Sequence, residues 1–313
     1  MTPNIPLVSV IIPTYNGAKH ILKTLDSVRN QTMSSWELNI VIDGSQDDTF
    51  AVLEQDNCFK DPRIRIFQTI NKGVSAARNF GIEQSNGKFL AFLDHDDIWH
   101  NRKLELQSEF LIANPDIDAC LTWFLIAKLS NQALGYSSLL VNHKDFNSLM
   151  KGWLSFKQFG GLVSSSLVFR RSENALRFDE NISSNADLEF ILRYSQQKRI
   201  EIIPTPTVIY SNSTAGMHFQ PSSMTEFIRV SHTFPVESFQ VSRSRMIAAA
   251  YAHKTLFLLH KKNFHEVLAP LVSLWRMKKI HFLLITPYFI ARKRLLSWLQ
   301  FLNQRNKIRK LWN

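Results

Sequence analysis

Cysteine is nearly absent from this 313-residue chain, with only Cys58 and Cys120 present and no CxxC spacing. This excludes a disulfide framework and a cysteine-based zinc site, and it suits a reducing compartment. Neither G-x-G-x-x-G nor G-x-x-x-x-G-K-S/T follows any apolar run, so the glycine-rich phosphate loops of dehydrogenases and P-loop enzymes are missing. There is no internal repeat, no low-complexity segment, and no uninterrupted apolar stretch approaching the roughly 20 residues that span a bilayer. Met1 to Pro6 carry no basic group, and the apolar run that follows is broken at Pro13. The expectation is a cytosolic chain without a secretory signal.

What is present is globular in character, with 45% hydrophobic and 20% charged residues. The net charge of +11 is unevenly spread: residues 241–313 carry 15 Lys and Arg against the single acid Glu266, so the rest of the chain is slightly acidic. A basic end can meet nucleic acid, anionic lipid or an acidic partner, and the residues between the charges decide among them.

In the first hundred residues, solid apolar runs alternate with helical patterns. Strands are expected at Leu7–Pro13, Glu37–Ile42, Arg63–Phe67 and Lys88–Leu93, with a helical face of Ile21, Leu22, Leu25 and Val28 after the first and a helix capped by Asp47 or Asp48 after the second. Continuous apolar strands separated by helices indicate a parallel sheet covered on both faces. Ligands of such sheets bind beyond the carboxyl ends of the strands, where Thr14–Asn16, Asp43–Ser45, Asn71–Gly73 and Asp94–Asp97 all fall. Further on, a helix over Arg102–Ala113, strands over Asp118–Lys128 and Leu162–Phe169, a helix over Asn185–Gln197 and two short closing strands, Ile200–Pro204 and Thr207–Tyr210, complete the pattern. Ser164, Ser165 and Ser166 read as structural rather than as an acceptor-site lining.

Phe92-Leu93-Asp94-His95-Asp96-Asp97 places three carboxylates within four positions at the end of the fourth strand. Like charges so crowded call for water or a divalent cation, and in extended chain Asp94 and Asp96 point the same way while His95 faces the other. The alternative is a solvated turn that caps the helix beginning near Asn101.

VSVIIPTYNG, VIDGSQDDT, NKGVSAARNFGI, GKFLAFLDHDDIW and FDENISSNADLEFILR, in this order over residues 7–210, resemble family 2 of the glycosyltransferases. The resemblance implies an α/β fold of the GT-A type, a Rossmann-like, mixed but mainly parallel sheet with helices on both faces. It also implies single-step inverting transfer from a nucleotide diphosphate sugar, UDP-linked by preference, assisted by Mg2+ or Mn2+. Pro13, Thr14 and Tyr15 then match the block that holds the nucleobase, and Asp43 matches the acid that accepts a uracil N–H, Ile42 standing where the family has another acid. Lys72 lies at the same mouth, and Arg78 matches a residue that faces the diphosphate or buttresses the loop. Asp94 is implied near the ribose or a metal-bound water, and Asp96 on the metal itself. Asp187 is the implied catalytic base, with Ala186 in place of the acid that precedes it in the family. The competing reading of Asp187 and Glu189 is a pair of first-turn acids stabilising a helix N-terminus. No Gln-x-x-Arg-Trp occurs, which opposes a processive polysaccharide synthase. The expected organisation is a GT-A catalytic domain over residues 1–235, with a nucleotide-sugar half about 1–100 and an acceptor half about 101–235, followed by a basic helical C-terminal region over 236–313. The acceptor is expected to be a glycan or lipid-linked hydroxyl, and the alternative to an enzyme is a catalytically degenerate relative that binds a glycan or partner.

Beyond residue 239 the resemblance ends. Ile280–Ala291 is apolar but too short to span a bilayer; Arg292-Lys293-Arg294 follows, then Leu295, Trp298, Leu299 and Leu302 at helical spacing, then Arg305, Lys307, Arg309 and Lys310. Apolar and aromatic residues ringed by bases suit a helix lying in the headgroup plane, each base near an anionic surface adding about 1 kcal/mol. Peripheral association with the inner face of a membrane is the expectation; the alternative is a helical region packed on the core. Nucleic acid is not an expected partner, because the bases are embedded in apolar helices. Anionic vesicles are expected to sediment the full chain but not a chain ending at residue 279; equal sedimentation of the two would remove the tail from membrane binding.

Overall fold

A computed structural model of the chain describes residues 5–127, 139–141, 145–154, 162–172, 177–182 and 185–211, with isolated positions between 228 and 273. The chain divides into two compact units, one of residues 1–136, 140–144 and 162–213, the other of residues 137–139, 145–161 and 214–313. The proposed cut at residue 235 falls inside the second unit. Most of that unit, including the expected amphipathic segment over 280–313, lies outside the described residues. Among the described residues no helix is long and apolar enough to cross a membrane.

The first unit is organised by one mixed sheet. Its elements in chain order are β1 (Val8–Thr14), α1 (Ile21–Arg29), β2 (Trp36–Asp43), α2 (Thr49–Gln55), β3 (Ile64–Thr69), α3 (Val74–Glu83), β4 (Phe89–Phe92), β5 (Ile98–Trp99), α4 (Lys103–Ala113), β6 (Ala119–Ala127) and β7 (Leu139–Val141). After α5 (Phe146–Leu154), a helix of the second unit, come β8 (Leu167–Arg170), α6 (Ala186–Tyr194) and β9 (Ile200–Ser211). The strand order is β3-β2-β1-β4-β8-β6-β9-β5. The first four are parallel, β8 is antiparallel to both β4 and β6, β9 is parallel to β6, and β5 antiparallel to β9.

The apolar runs are continuous because both faces are covered. Val8, Val10 and Ile12 of β1 and Leu38, Ile40 and Ile42 of β2 share one buried cluster with Ile21, Leu25 and Val28 of α1 and Leu104 and Leu111 of α4. On the other face Ile11 meets Gly81 of α3, where an added Cβ would stand 2.4 Å from the Ile11 side chain. Phe92, Phe169, Phe178 and Phe190 interlock on the α6 side, with Phe178 stacked on Phe190 at 4.3 Å. Such ring pairs contribute about 0.5–1.5 kcal/mol each beyond their buried area.

Three expectations are corrected. Leu162–Phe169 is not one strand: Ser164–Ser166 form a single 3-10 turn, and the strand starts at Leu167. The two closing strands are one, β9, because a register irregularity opposite Thr122, Trp123 and Phe124 accommodates Pro204 and Pro206, which lack the N–H that regular pairing needs. The strand before the acid cluster ends at Phe92, and the chain turns through Asp94–Asp97, the Asp97 N–H donating to the Asp94 carbonyl at 3.0 Å. The alternation that would have aligned Asp94 with Asp96 and turned His95 away therefore does not apply.

Lys103, at the start of α4, is fully buried, with its ammonium 4.2 Å from the Trp99 ring and bonded to Gln107 Oε1. Burial holds its pKa down to about 7 from 10.5. A base with a depressed folded-state pKa contributes stability that is complete above 10.5 and lost as pH falls through about 7. The stability of wild type relative to Lys103→Met, measured by urea unfolding, is expected to improve between pH 7 and 10 by up to about 1.4 kcal/mol per pH unit. A gap that does not change with pH would mean that Lys103 is charged in the folded protein.

Candidate active site

The site lies where β1 to β4 end. Behind Thr14 the chain turns through Asn16, in left-handed backbone (φ 52°). Three successive backbone N–H groups then donate to side chains of the loop after β2 and of the first residue of α2: Asn16 to Ser45 Oγ at 3.0 Å, Gly17 to Thr49 Oγ1 at 2.9 Å and Ala18 to Asp47 Oδ2 at 3.0 Å. Asn16 Oδ1 accepts the Gln46 N–H in return at 2.8 Å. Burial would raise the Asp47 pKa, but the bonds from Thr49 and Ala18 outweigh it and hold the carboxyl below its usual range. It is thus Asp47, rather than an N-cap side chain at Asp48, that serves the start of α2, accepting from the Thr49 N–H at 3.1 Å.

Two glycines permit close approach. A Cβ on Gly17 would stand 2.3 Å from Thr14 Oγ1 and 3.0 Å from the His95 ring. Gly44 has φ 66°, and a Cβ there would stand 2.6 Å from the Asn71 nitrogen. Asp43, buried at the end of β2, accepts the N–H groups of Lys72 at 2.9 Å and Gly73 at 2.8 Å. It fixes the loop that carries the exposed Lys72 into α3. Pro13 is buried within β1, whereas Tyr15 is 43% exposed. Thr14 Oγ1 is buried without a hydrogen-bond partner among the described residues.

Arg78 sits at the centre. From α3 its Nη1 donates to Asp187 Oδ1 at 2.7 Å, and its Nη2 to Asp94 Oδ1 at 2.8 Å and Ser164 Oγ at 2.9 Å. The side chain is 4% exposed and lies 5.0 Å from the Phe178 ring. Burial disfavours its charge, but Asp187 and Asp94 outweigh that and raise the pKa. Asp94 answers in kind: burial raises its pKa, and the pull of Arg78, joined by Ser164 and His95, brings it below the usual carboxylate value. Each terminal nitrogen of Arg78 donates to protein oxygens, so the side chain is held among Asp94, Ser164 and Asp187. The neighbouring Asn79 binds the backbone of Phe178, donating at 3.0 Å and accepting at 2.9 Å, so α3 also anchors the approach to α6.

The acid cluster is a buttressed turn. Thr24 Oγ1 donates to the carbonyls of His95 at 2.8 Å and Asp97 at 2.9 Å. Asp97 is fully buried, accepting Ser165 Oγ at 2.5 Å and the Ser211 N–H at 2.9 Å. Burial, with the charges of Asp94 and Asp96 beside it, pushes its pKa well above that of an ordinary carboxyl, against the pull of those two bonds. Asp96 is half-buried in the same turn. The sequence by itself assigns Asp97 no role of its own and reads the three serines as structural; their bonds to the acid cluster go unread, the signal being a third acid running directly into an apolar pair and three hydroxyls ahead of an apolar strand.

Of the two first-turn acids of α6, Glu189 is buried and paired with Arg193 at 2.7 Å, while Asp187 turns to Arg78. The structure therefore brings Asp94 and Asp187, which are 93 positions apart in sequence, onto one guanidinium. Among the described residues no three His, Cys, Asp or Glu side chains converge as a ready-made metal cage. Mg2+ and Mn2+ do not need one where a substrate's phosphates supply ligands, and one or two carboxylate oxygens from the protein suffice. The oxygen donors of Asp96 and Asp94 fit that chemistry.

The family model described as "Glycosyl transferase family 2" matches residues 9–176. Among curated proteins, the chain is 43% identical over 110 residues to the UDP-Glc:alpha-D-GlcNAc-diphosphoundecaprenol beta-1,3-glucosyltransferase WfgD of Escherichia coli, covering 34% of this chain and 42% of that protein. It is 44% identical over 108 residues to the putative teichuronic acid biosynthesis glycosyltransferase TuaG of Bacillus subtilis, with the same coverage. An uncharacterized glycosyltransferase of Rickettsia bellii is 44% identical over 107 residues, 34% of this chain and 15% of that one. The chain thus spans less than half the length of these relatives. Among solved structures, S. aureus TarS 1–349 in complex with UDP-GlcNAc aligns at TM-score 0.60 and 18% identity over 96% of this chain and 91% of that one. The mannosyltransferase PcManGT of Pyrobaculum calidifontis, in complex with GDP-Man and Mn2+, aligns at TM-score 0.57 and 16% identity over 95% and 87%. At such identities the likeness speaks for the fold, which is GT-A.

Removing the cation from between two carboxylates strands both charges. Arg78→Met is expected to cost about 3–5 kcal/mol in urea unfolding. Arg78→Met combined with Asp187→Asn should be more stable than Arg78→Met alone; strict additivity would dissolve the coupling.

Proposed function

Since the chain belongs to glycosyl transferase family 2, we propose that it is an inverting glycosyltransferase that moves a sugar from a nucleotide diphosphate sugar, UDP-linked by preference, to a hydroxyl of a glycan or lipid-linked acceptor. The observation that carries this reading is the Arg78 bridge, which sets the donor-side acid Asp94 and the candidate base Asp187 on opposite ends of one cation at the carboxyl end of the sheet. The activity in the name of WfgD, with a UDP-glucose donor and a GlcNAc-diphosphoundecaprenol acceptor, supports the choice of donor and acceptor class.

In the proposed reaction the acceptor oxygen attacks the anomeric carbon while the bond from that carbon to the diphosphate oxygen breaks, the bonding electrons leaving with the diphosphate. Asp187 takes the hydroxyl proton and later returns it to water. Asp96, with Asp94, would hold Mg2+ or Mn2+, and the ion would supply positive charge to stabilise the departing diphosphate. Tyr15 offers an exposed ring to the nucleobase, Asp43 an acceptor for its N–H, and the loops at Pro13–Thr14 and Lys72 frame the donor. Arg78 orients both acids from behind. We place the protein in the cytoplasm, at the inner face of the membrane that carries the acceptor.

The second reading, a degenerate relative that binds without catalysing, draws on Ala186, which stands where the family has an acid. A screen of UDP- and GDP-sugars for Mn2+-dependent hydrolysis separates the two, with UDP-sugar turnover expected. Asp96→Ala should abolish that turnover, and Asp187→Asn should lower it at least about 100-fold while UDP still binds. A fully active Asp187→Asn protein would refute the base assignment, and binding without turnover across the panel would favour the degenerate reading.

A further inference from the structure

The 3-10 turn Ser164–Ser166 lies at 2% exposure or less in all three residues; the hydroxyls of Ser164 and Ser165 face the acid cluster, and that of Ser166 donates to the Val163 carbonyl at 2.8 Å. Ser164 Oγ accepts from Arg78 Nη2 at 2.9 Å and donates to Asp94 Oδ2 at 3.0 Å. Arg78 Nη2 also donates to Asp94 Oδ1 at 2.8 Å. Guanidinium, carboxylate and hydroxyl thus close a ring of three hydrogen bonds. One residue on, Ser165 Oγ accepts the Asp94 backbone N–H at 3.0 Å and donates to Asp97 Oδ2. The turn itself is held from outside the site, by Trp99 Nε1 on the Ser165 carbonyl at 2.8 Å and Gln107 Nε2 on the Ser166 carbonyl at 3.0 Å.

We propose that Ser164 is a positioning residue for donor binding and transfer, the hydroxyl that sets the rotation of the Asp94 carboxylate and divides the Arg78 guanidinium between Asp94 and Asp187. This rests on the reading of Asp94 and Asp187 given above. An Arg guanidinium prefers a bidentate grip on one carboxylate. With a hydroxyl occupying Oδ2, Asp94 presents only Oδ1 to Arg78, and Nη1 stays with Asp187. Without that hydroxyl, both Asp94 oxygens become open to the guanidinium, Asp94 turns about its own axis, and the contact with Asp187 is given up. The serine therefore couples the two ends of the site although it touches neither substrate.

The test is UDP binding by calorimetry in the presence of Mn2+, with thermal unfolding measured in parallel, on full-length wild type, Ser164→Ala, Ser164→Thr and Asp94→Asn. Misplacing a group that supports a ligating carboxylate costs about tenfold or more. Ser164→Ala should weaken UDP binding by about that factor and lower the kcat of any UDP-sugar hydrolysis further, with its unfolding temperature close to wild type. Ser164→Thr, which keeps the hydroxyl, should regain most of both. If Ser164→Ala binds UDP as wild type does while Asp94→Asn binds poorly, the positioning role fails and the donor site stands. If Ser164→Ala is weakened only in step with lost thermal stability and Ser164→Thr is no better, the turn is structural. A wild-type protein that binds no UDP, or Asp94→Asn that binds it undiminished, removes the donor-site reading itself.

Discussion

The arrangement depends on a cation taken out of water. Arg78 is buried, and its charge is kept there by carboxylates that arrive from the end of β4 and from the first turn of α6. Desolvating a guanidinium costs several kcal/mol, which only close, well-directed acceptors return. Each acid is held in turn by the same ion, so none of the three positions can drift without stranding the others. Asp97 meets the surplus of negative charge differently: burial and its acidic neighbours favour its protonated form, and it becomes a hydrogen-bonding strut for Ser165 and the end of β9. The cluster of like charges is thus resolved by one ion pair shared twice and one carboxyl pushed toward neutrality.

Around that centre the loops are fixed by satisfying backbone groups with side chains. The turn after β1 hands three consecutive N–H donors to the loop after β2 and the start of α2, and Asp43 collects two more from the loop after β3. Loops so pinned lose little further freedom when a ligand arrives, which favours tight and specific binding over an induced closure. The glycines at 17 and 44 serve the same end by letting one loop press on the next.

The strands of the first hundred residues were legible because each is buried on both faces and reads as an unbroken apolar run. The acidic loops were legible because such a sheet puts its polar clusters at one end. What failed was local geometry. Alternation continued past Phe92 gave Asp94 and Asp96 a common direction, but a turn closed by the Asp97 N–H ends the strand first. Pro204 and Pro206 read as a break between two strands, and only the partner strand β6 shows the irregularity that lets β9 pass through. Contacts across long sequence separations were also illegible: nothing near position 78 announces that its side chain ends between residues 94, 164 and 187. The alternative that paired Asp187 with Glu189 as first-turn acids could not foresee that one meets Arg78 and the other Arg193.

Those partners bear on the missing acid at position 186. Ala186 is buried at the first turn of α6, one position ahead of the Asp187 that Arg78 holds. An acid buried at that position would need a partner of its own, whereas with alanine there Asp187 keeps Arg78 as its partner. A buried ion triad is itself a poor source of stability, since apolar side chains of similar volume commonly do as well or better. A scaffold kept only for binding a partner would gain from such a replacement. The pairing of Asp94 and Asp187 through Arg78, with the Arg78 Nε left without a partner among the described residues, is costly on stability grounds. On the proposed reading that cost has a reason, because Asp94 and Asp187 would have to be held in register where donor and acceptor meet.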